Sequence, residues 1–285
     1  MLVSTTAAET TPLWVSGTHY AKDAEVRWQN TYGDWRLWKS LVSTNTSTPG
    51  TSGNWLDIGP ANNYAMFDRT VSTQTEALSP LVVLLAPGEV VSNLTLINLI
   101  GTAVKVEMLD GATVVYEKTV NLSGAESADW WDYYFTVDEQ VTSATFDDLP
   151  LYYSGQIRIT LTGGGAVAIG HTVFGTRHDL GNLKYGASSG IIDYSKKVTD
   201  EFGVTEFVQR AWADEFSGTI EVGNFQLNSL KRLMQRIRST PCLWVGHEDD
   251  QFRETLIVFG WYRSHRIAIA YPNHSLLDLE IEGLV

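Results

Sequence analysis

Five of the ten tryptophans of this chain fall within its first sixty residues: Trp14, Trp28, Trp35, Trp38 and Trp55. A segment that short has too little volume to bury five indoles behind a thick core. Some of the rings are therefore expected near the surface, where aromatic faces hold sugars or partner proteins. Short aromatic runs alternate there with Gly, Asn, Ser and Thr. The stretch 43–53 is almost wholly Ser, Thr, Asn, Gly and Pro, a surface loop by composition. Gly59 and Pro60 close the segment, so residues 12–60 read as a small aromatic β module ahead of a larger body. Residues 1–11 are small and polar, and read as a flexible arm or one that docks on a partner.

Residues 61–177 carry strand signals with no helical period between them. Leu81–Leu85 is a continuous apolar run turned by Pro87 and Gly88. The run 94–100 leads into Gly101, and 103–108 alternates polar with apolar. Asp110 and Gly111 mark a hairpin turn into 113–120. Residues 156–161 alternate cleanly, and Gly163–Gly165 turns them into 166–170. Strands at this spacing predict an antiparallel, jelly-roll-like β-sandwich.

Residues 178–285 change character. The spacing predicts one amphipathic helix over 224–239, with Leu227, Leu230, Met234 and Ile237 on one face and Arg232 and Arg236 opposite. Lys231, Arg232, Arg236 and Arg238 crowd its C-terminal half, where they favour the helix dipole. Pro241 is read as its stop. These four cations are the candidate partner contact, set against the simpler reading of a solvated face. Strands are expected at 218–222, 242–245, 255–259, 266–270 and 276–281. The expected fold is thus mainly β: the aromatic module, the sandwich, and a C-terminal β-rich domain with one helix.

The net charge of −13 argues against a nucleic-acid surface. The longest apolar run, Leu81–Ala86, is far too short for a membrane span, and the N-terminus lacks the pattern of a cleaved signal. A composition 44% hydrophobic and 19% charged excludes global disorder. The single cysteine, Cys242, allows neither an internal disulfide nor a cysteine metal site, and its apolar neighbours make it a small buried hydrophobe.

Catalytic patterns are missing: there is no phosphate loop, nucleophile elbow or zinc-protease helix motif. His171, His178, Asp179, His247, His265 and His274 match no metal-ligand spacing. Asp129 and Asp132, beside Trp130, Trp131 and Tyr133, are the pair that glycoside hydrolysis would need, yet on a strand they point to opposite faces. Asp147 and Asp148 read as a turn with too few oxygens for calcium. The expectation is therefore no catalytic residue, no metal and no cofactor. A glycan-degrading enzyme using Asp129, Asp132 or the Asp147/Asp148 pair is the least favoured alternative.

Residues 12–60 resemble the small chitin-type carbohydrate-binding modules of families 5 and 12, through Trp14, Tyr20, the turn Asp23–Val26, Trp38, Pro49 and Trp55. The resemblance, with the strand pattern, makes Trp14, Val26, Trp38 and Trp55 core and leaves Trp28, Tyr32 and Trp35 as the candidate stacking surface for sugar. Beyond it, Asn62, Ala65, Met66, Phe67 and Asp68 are similar to a segment of tail-associated proteins of tailed bacteriophages. So are Phe146–Pro150, Asp193–Lys197, Asp200–Gly203 and Leu279–Leu284. This resemblance implies a virion structural protein of the tail tip or baseplate, made in the host cytoplasm and carried in the tail. It implies contacts with other tail proteins, a symmetric homo-oligomer, and a host-surface glycan as a candidate ligand. A free carbohydrate-binding protein is the alternative.

Overall fold

The computed structural model describes residues 2–31, 33–68, 72–123, 140–199, 202–203, 205–247 and 254–284. The chain divides into two compact units, Met1–Arg177 and His178–Val285, at the point where the sequence pattern changes.

The first unit begins with strand β1 (Leu2–Thr5), then β2 (Glu25–Gln29), β3 (Trp35–Ser40) and β4 (Trp55–Pro60). Strands β2, β3 and β4 form an antiparallel three-stranded sheet in that order. Val26 lies across from Trp38, and Ser40 across from Trp55. These side chains therefore share one face and, with Trp14, make the module's core, as the pattern predicts. Backbone carbonyls accept two indole N–H groups: Trp38 Nε1 donates to Trp28 O of β2 at 3.2 Å and Trp55 Nε1 to Ser47 O in the loop at 2.7 Å. Two of the three core indoles are satisfied in this way, while the buried Trp14 Nε1 meets no acceptor.

A 3₁₀ turn (Asn62–Phe67) leads into eight strands: β5 (Thr75–Leu78), β6 (Leu81–Leu85), β7 (Asn93–Ile100), β8 (Ala103–Asp110), β9 (Thr113–Asn121), β10 (Ser143–Phe146), β11 (Gln156–Thr162) and β12 (Ala166–Gly175). They sort into two sheets, ordered β5-β12-β7-β10 and β6-β11-β8-β9. The chain crosses between sheets at every step except the β8–β9 hairpin, which is the jelly-roll order of two Greek keys. Gly111, at φ +61°, makes that hairpin turn. Leu81, Val83 and Leu85 lie across from Leu161, Ile159 and Ile157, which lie across from Val104, Val106 and Met108. All nine are buried in one core with Leu94, Leu96, Leu99, Phe146, Val167 and Ile169 of the facing sheet.

The N-terminal residues depart from the expected flexible arm. Strand β1 pairs antiparallel with β6 and becomes the fifth strand of its sheet. The bare edge of β6 offers backbone groups that a polar, extended segment can satisfy.

The second unit holds β13 (Asn182–Leu183), β14 (Ser188–Asp193), β15 (Lys196–Thr199), β16 (Thr205–Val208), β17 (Trp212–Gly223), a 3₁₀ turn (Asn224–Gln226), helix α1 (Leu227–Arg236), β18 (Cys242–Val245), β19 (Ile257–Ala268) and β20 (His274–Gly283). The central sheet runs β13-β17-β20-β19-β18, with β14 also on β17. Helix α1 lays Leu230 and Met234, flanked by Leu227 and Ile237, on Phe216, Ile220, Val222, Leu277, Leu279 and Ile281. The expected face is correct, but the helix ends at Arg236, before 239. Ser239 adopts φ +58°, so the chain turns away ahead of Pro241. The strands expected at 255–259 and 266–270 belong to one long strand, β19, with an irregularity between Tyr262 and Ser264. The ladder to β20 resumes past that irregularity and carries the chain across the polar stretch.

His171 in β12 is buried, and desolvation pushes its imidazole down to about 4. The unfolded chain therefore binds a proton that the folded unit refuses, and stability falls as pH drops from about 6.5 toward 4. The first unit is expected to lose about 2 kcal/mol between pH 7 and pH 5 from this group alone. Urea unfolding of wild type and His171→Gln at both pH values checks this: the variant should lose that slope.

Candidate functional site

Residues 28 and 35 lie on the two strands of the β2–β3 hairpin. Trp28 pairs with Arg36, and Trp35 with Gln29. Neighbours on a strand point to opposite faces, so Trp28 shares the face of Val26 and Trp38 while Trp35 lies on the other. Trp28 is half-buried against the module core, its ring edge-on to Trp14 at 5.0 Å. The Trp35 ring has the Arg27 guanidinium 5.9 Å from its centre and Tyr64 at 6.5 Å. The expected common platform of Trp28, Tyr32 and Trp35 is thus corrected for two of its members, since register sets them back to back. Tyr32 lies outside the described residues.

The remaining chemical candidates disperse. Asp129 and Asp132 lie outside the described residues. Asp148 Oδ1 accepts the Tyr116 hydroxyl at 2.6 Å and Lys118 Nζ at 3.3 Å. The tyrosine hydroxyl first, then the lysine, holds that carboxyl below its usual range. Asp148 thereby ties its loop to β9. His178 Nε2 lies 3.3 Å from an Arg236 guanidinium nitrogen, His265 stands edge-on to Tyr262, and His274 stacks on Tyr271 at 4.4 Å. Among the described residues no three His, Cys, Asp or Glu side chains gather to hold a metal ion. Cys242 is half-buried, and burial pushes its thiol up.

The segments on which the phage-tail expectation rests make structural contacts. Asn62 Nδ2 donates to Ala8 O and Glu76 O, both at 2.9 Å, and its Oδ1 accepts Glu76 N–H. One amide thus clips the N-terminal segment to β5. Met66 is buried, and its N–H reaches Thr75 Oγ1 at 3.0 Å. Phe146 fills the sandwich core, and 279–283 lie in β20 at the centre of the second sheet. Asp200 and Glu201 lie outside the described residues.

Asp193–Lys197 falls on a feature that the sequence pattern did not reveal. Strands β14 and β17 pair out to Asp193 and Trp212. Beyond a kink, β15 and β16 continue the pairing from Lys196 and Val208 to Thr199 and Thr205. At the kink Ser195 N–H donates to Asp193 Oδ1 at 2.8 Å, and Arg210 N–H to Ser195 Oγ at 3.0 Å. The result is a two-stranded ribbon, four paired residues on each strand, separate from the main sheet. Every residue of β15 and β16 is exposed. Ile191, Tyr194, Val198, Phe207, Val208 and Trp212 all face solvent, Phe207 with 75% of its surface. The sequence offered little signal, since 196–199 (Lys-Lys-Val-Thr) and 205–208 (Thr-Glu-Phe-Val) are short and do not alternate.

Of the four predicted cations, Arg232 and Arg236 share a groove. Lys231, Arg232, Arg236 and Arg238 are all exposed on or just beyond α1. Arg232 and Arg236 border a groove of about 440 Å³ whose other walls include His178, Asp179, Leu180 and Leu230.

No protein-family model matches this chain, and no curated protein matches it. Among the described residues no helix is long and apolar enough to cross a membrane.

Because Trp28 is half-buried against the module core, Trp28→Ala should destabilise the first unit by about 2 kcal/mol, below the ordinary cost of truncating a fully packed aromatic. Trp35→Ala should cost less than half of that. Chemical denaturation followed by near-ultraviolet circular dichroism distinguishes the two.

Proposed function

We propose that this protein is a structural subunit of a bacteriophage tail, at the tip or baseplate, working through contacts with neighbouring tail proteins rather than through catalysis. The ribbon carries this reading. A free two-stranded hairpin is marginal in water, and contiguous exposed apolar side chains mark a surface meant to be covered. Val198, Phe207 and Val208 on the ribbon, with Ile191, Tyr194 and Trp212 at its base, therefore call for neighbours that bury them. The jelly roll of the first unit is a fold reused in particle shells and in lectins, so it is compatible with assembly without proving it. The similarity of Asn62–Asp68, Phe146–Pro150, Asp193–Lys197 and Leu279–Leu284 to phage tail proteins supports a tail as the kind of assembly.

Host-glycan attachment is the secondary part of this reading. Its basis is the likeness of residues 12–60 to carbohydrate-binding modules, and the opposed faces of Trp28 and Trp35 weigh against it. The aromatic module then serves chiefly as a rigid, indole-packed body in front of the sandwich.

A ribbon variant tests the proposal. Phe207→Ser combined with Val208→Ser should leave the melting temperature within about 2 °C of wild type, since these side chains touch water. The same variant should be lost from purified particles when it replaces the wild-type chain, as read by immunoblot and immunogold labelling of tails. Wild-type protein absent from the tail overturns the reading. A variant incorporated as well as wild type removes the ribbon as the contact.

A further inference from the structure

The sheet of the second unit is electrically two-faced. One face is covered by α1, and residues 224–239 contain no Asp or Glu, so the helix itself sets no acid among Lys231, Arg232, Arg236 and Arg238; Asp179 borders the groove that Arg232 and Arg236 line. The opposite face is read from register. Glu282 lies across from Glu215, Glu280 from Ser217, Asp278 from Thr219 and Leu276 from Glu221. These positions alternate with Phe216, Ile220, Leu277, Leu279 and Ile281, which point at the helix. Five carboxylates therefore stud the face away from α1: Glu215, Glu221, Asp278, Glu280 and Glu282.

The charges on that face are only partly answered within the chain. Arg266 lies across from Asp278, Lys184 Nζ stands 4.0 Å from Glu221, and His274 Nδ1 3.8 Å from it. Arg263 sits at the β19 irregularity. The central carboxylates are held by hydroxyls instead. Thr219 Oγ1 donates to Asp278 Oδ1 at 2.8 Å, Ser264 Oγ to Glu280 Oε2 at 3.0 Å, and the Tyr194 hydroxyl to Glu282 Oε1 at 3.2 Å. Glu215 directly opposite Glu282 is a cross-strand pair of like charge, a placement that costs stability unless something else neutralises it.

We infer that the second unit binds a further copy of this chain head to tail, the arginine-bearing side of α1 seating on the carboxylate-bearing face of the next copy's β17 and β20. The inference rests on the assembly reading above and names the partner. The spacings match. Arg232 and Arg236, four apart on a helix, are separated by about 6 Å along its axis. Asp278, Glu280 and Glu282, two apart on a strand, repeat every 6.8 Å or roughly so. The two patches lie on opposite sides of one sheet, so they cannot meet within one chain, and a two-fold pair cannot engage both at a single interface. Copies that use both faces must follow one another heterologously, closing into a ring or continuing as a filament.

The test is sedimentation velocity and light scattering on the full-length chain. Wild type should self-associate at low salt, with its apparent dissociation constant rising at least about tenfold between roughly 0.05 and 0.5 M salt, as screening shortens. Arg232→Glu with Arg236→Glu, and separately Asp278→Lys with Glu280→Lys, should each be monomeric while melting like wild type. Mixed in equal amounts they should associate again, because each restores the sign the other lost. The inference is overturned if wild type stays monomeric at every concentration and salt, or if its association ignores salt. It is also overturned if either reversed variant associates like wild type, or if the mixture does not recover. The salt series needs no variant, so it decides the matter even if a reversal disturbs folding. Failure here leaves the particle-incorporation result for the ribbon untouched, so the two readings fall separately.

Discussion

The jelly roll depends on one apolar row that crosses three strands. Leu81, Val83 and Leu85 stand beside Ile157, Ile159 and Leu161, and these beside Val104, Val106 and Met108, all with their side chains inward. Each strand alone shows a period of two, but the row exists only because the ladder holds the three in phase. A slip of one residue in any of them would send its whole apolar set to solvent. The facing sheet closes over this row with Leu94, Leu96, Phe146 and Ile169, so the order of the eight strands follows from keeping both apolar faces together.

The same alternation governs the places where chemistry or contact was in question. In the aromatic module it sets Trp28 inward and Trp35 outward, which dissolves a sugar platform that looked continuous along the chain. In the second unit it separates Phe216, Ile220, Leu277 and Leu279 from the carboxylates interleaved with them, and so makes one sheet apolar on one side and acidic on the other. Helix α1 fits the apolar side and shows its cations outward. A polarity of this kind costs little within one molecule and is useful when copies or neighbours stack.

Segments that resembled phage tail proteins without an evident reason acquire one in the fold. Asn62 is a clip between Ala8 and Glu76, Thr75 receives the Met66 N–H, and Phe146 is a core side chain whose loop is fastened by Asp148 to Tyr116 and Lys118. None is placed to react with a ligand. They hold the strands of the first unit in register.

Period-two strands, the hairpin at Asp110 and Gly111, the apolar stripe of α1 and the core indoles Trp14, Trp38 and Trp55 were all legible in the sequence, because each is decided by residues within a few positions of one another. The docking of β1 on β6, the joining of 257–268 into one strand and the projection of the ribbon were not, because each depends on which backbone edge a segment meets far along the chain. For the tryptophans the division is plain. The sequence alone determined that five indoles in sixty residues must build a core and leave some ring surface over. Only the tertiary structure decided which rings those are and that Trp28 and Trp35 face apart, because cross-strand register, unlike alternation, is a property of two strands and not of one.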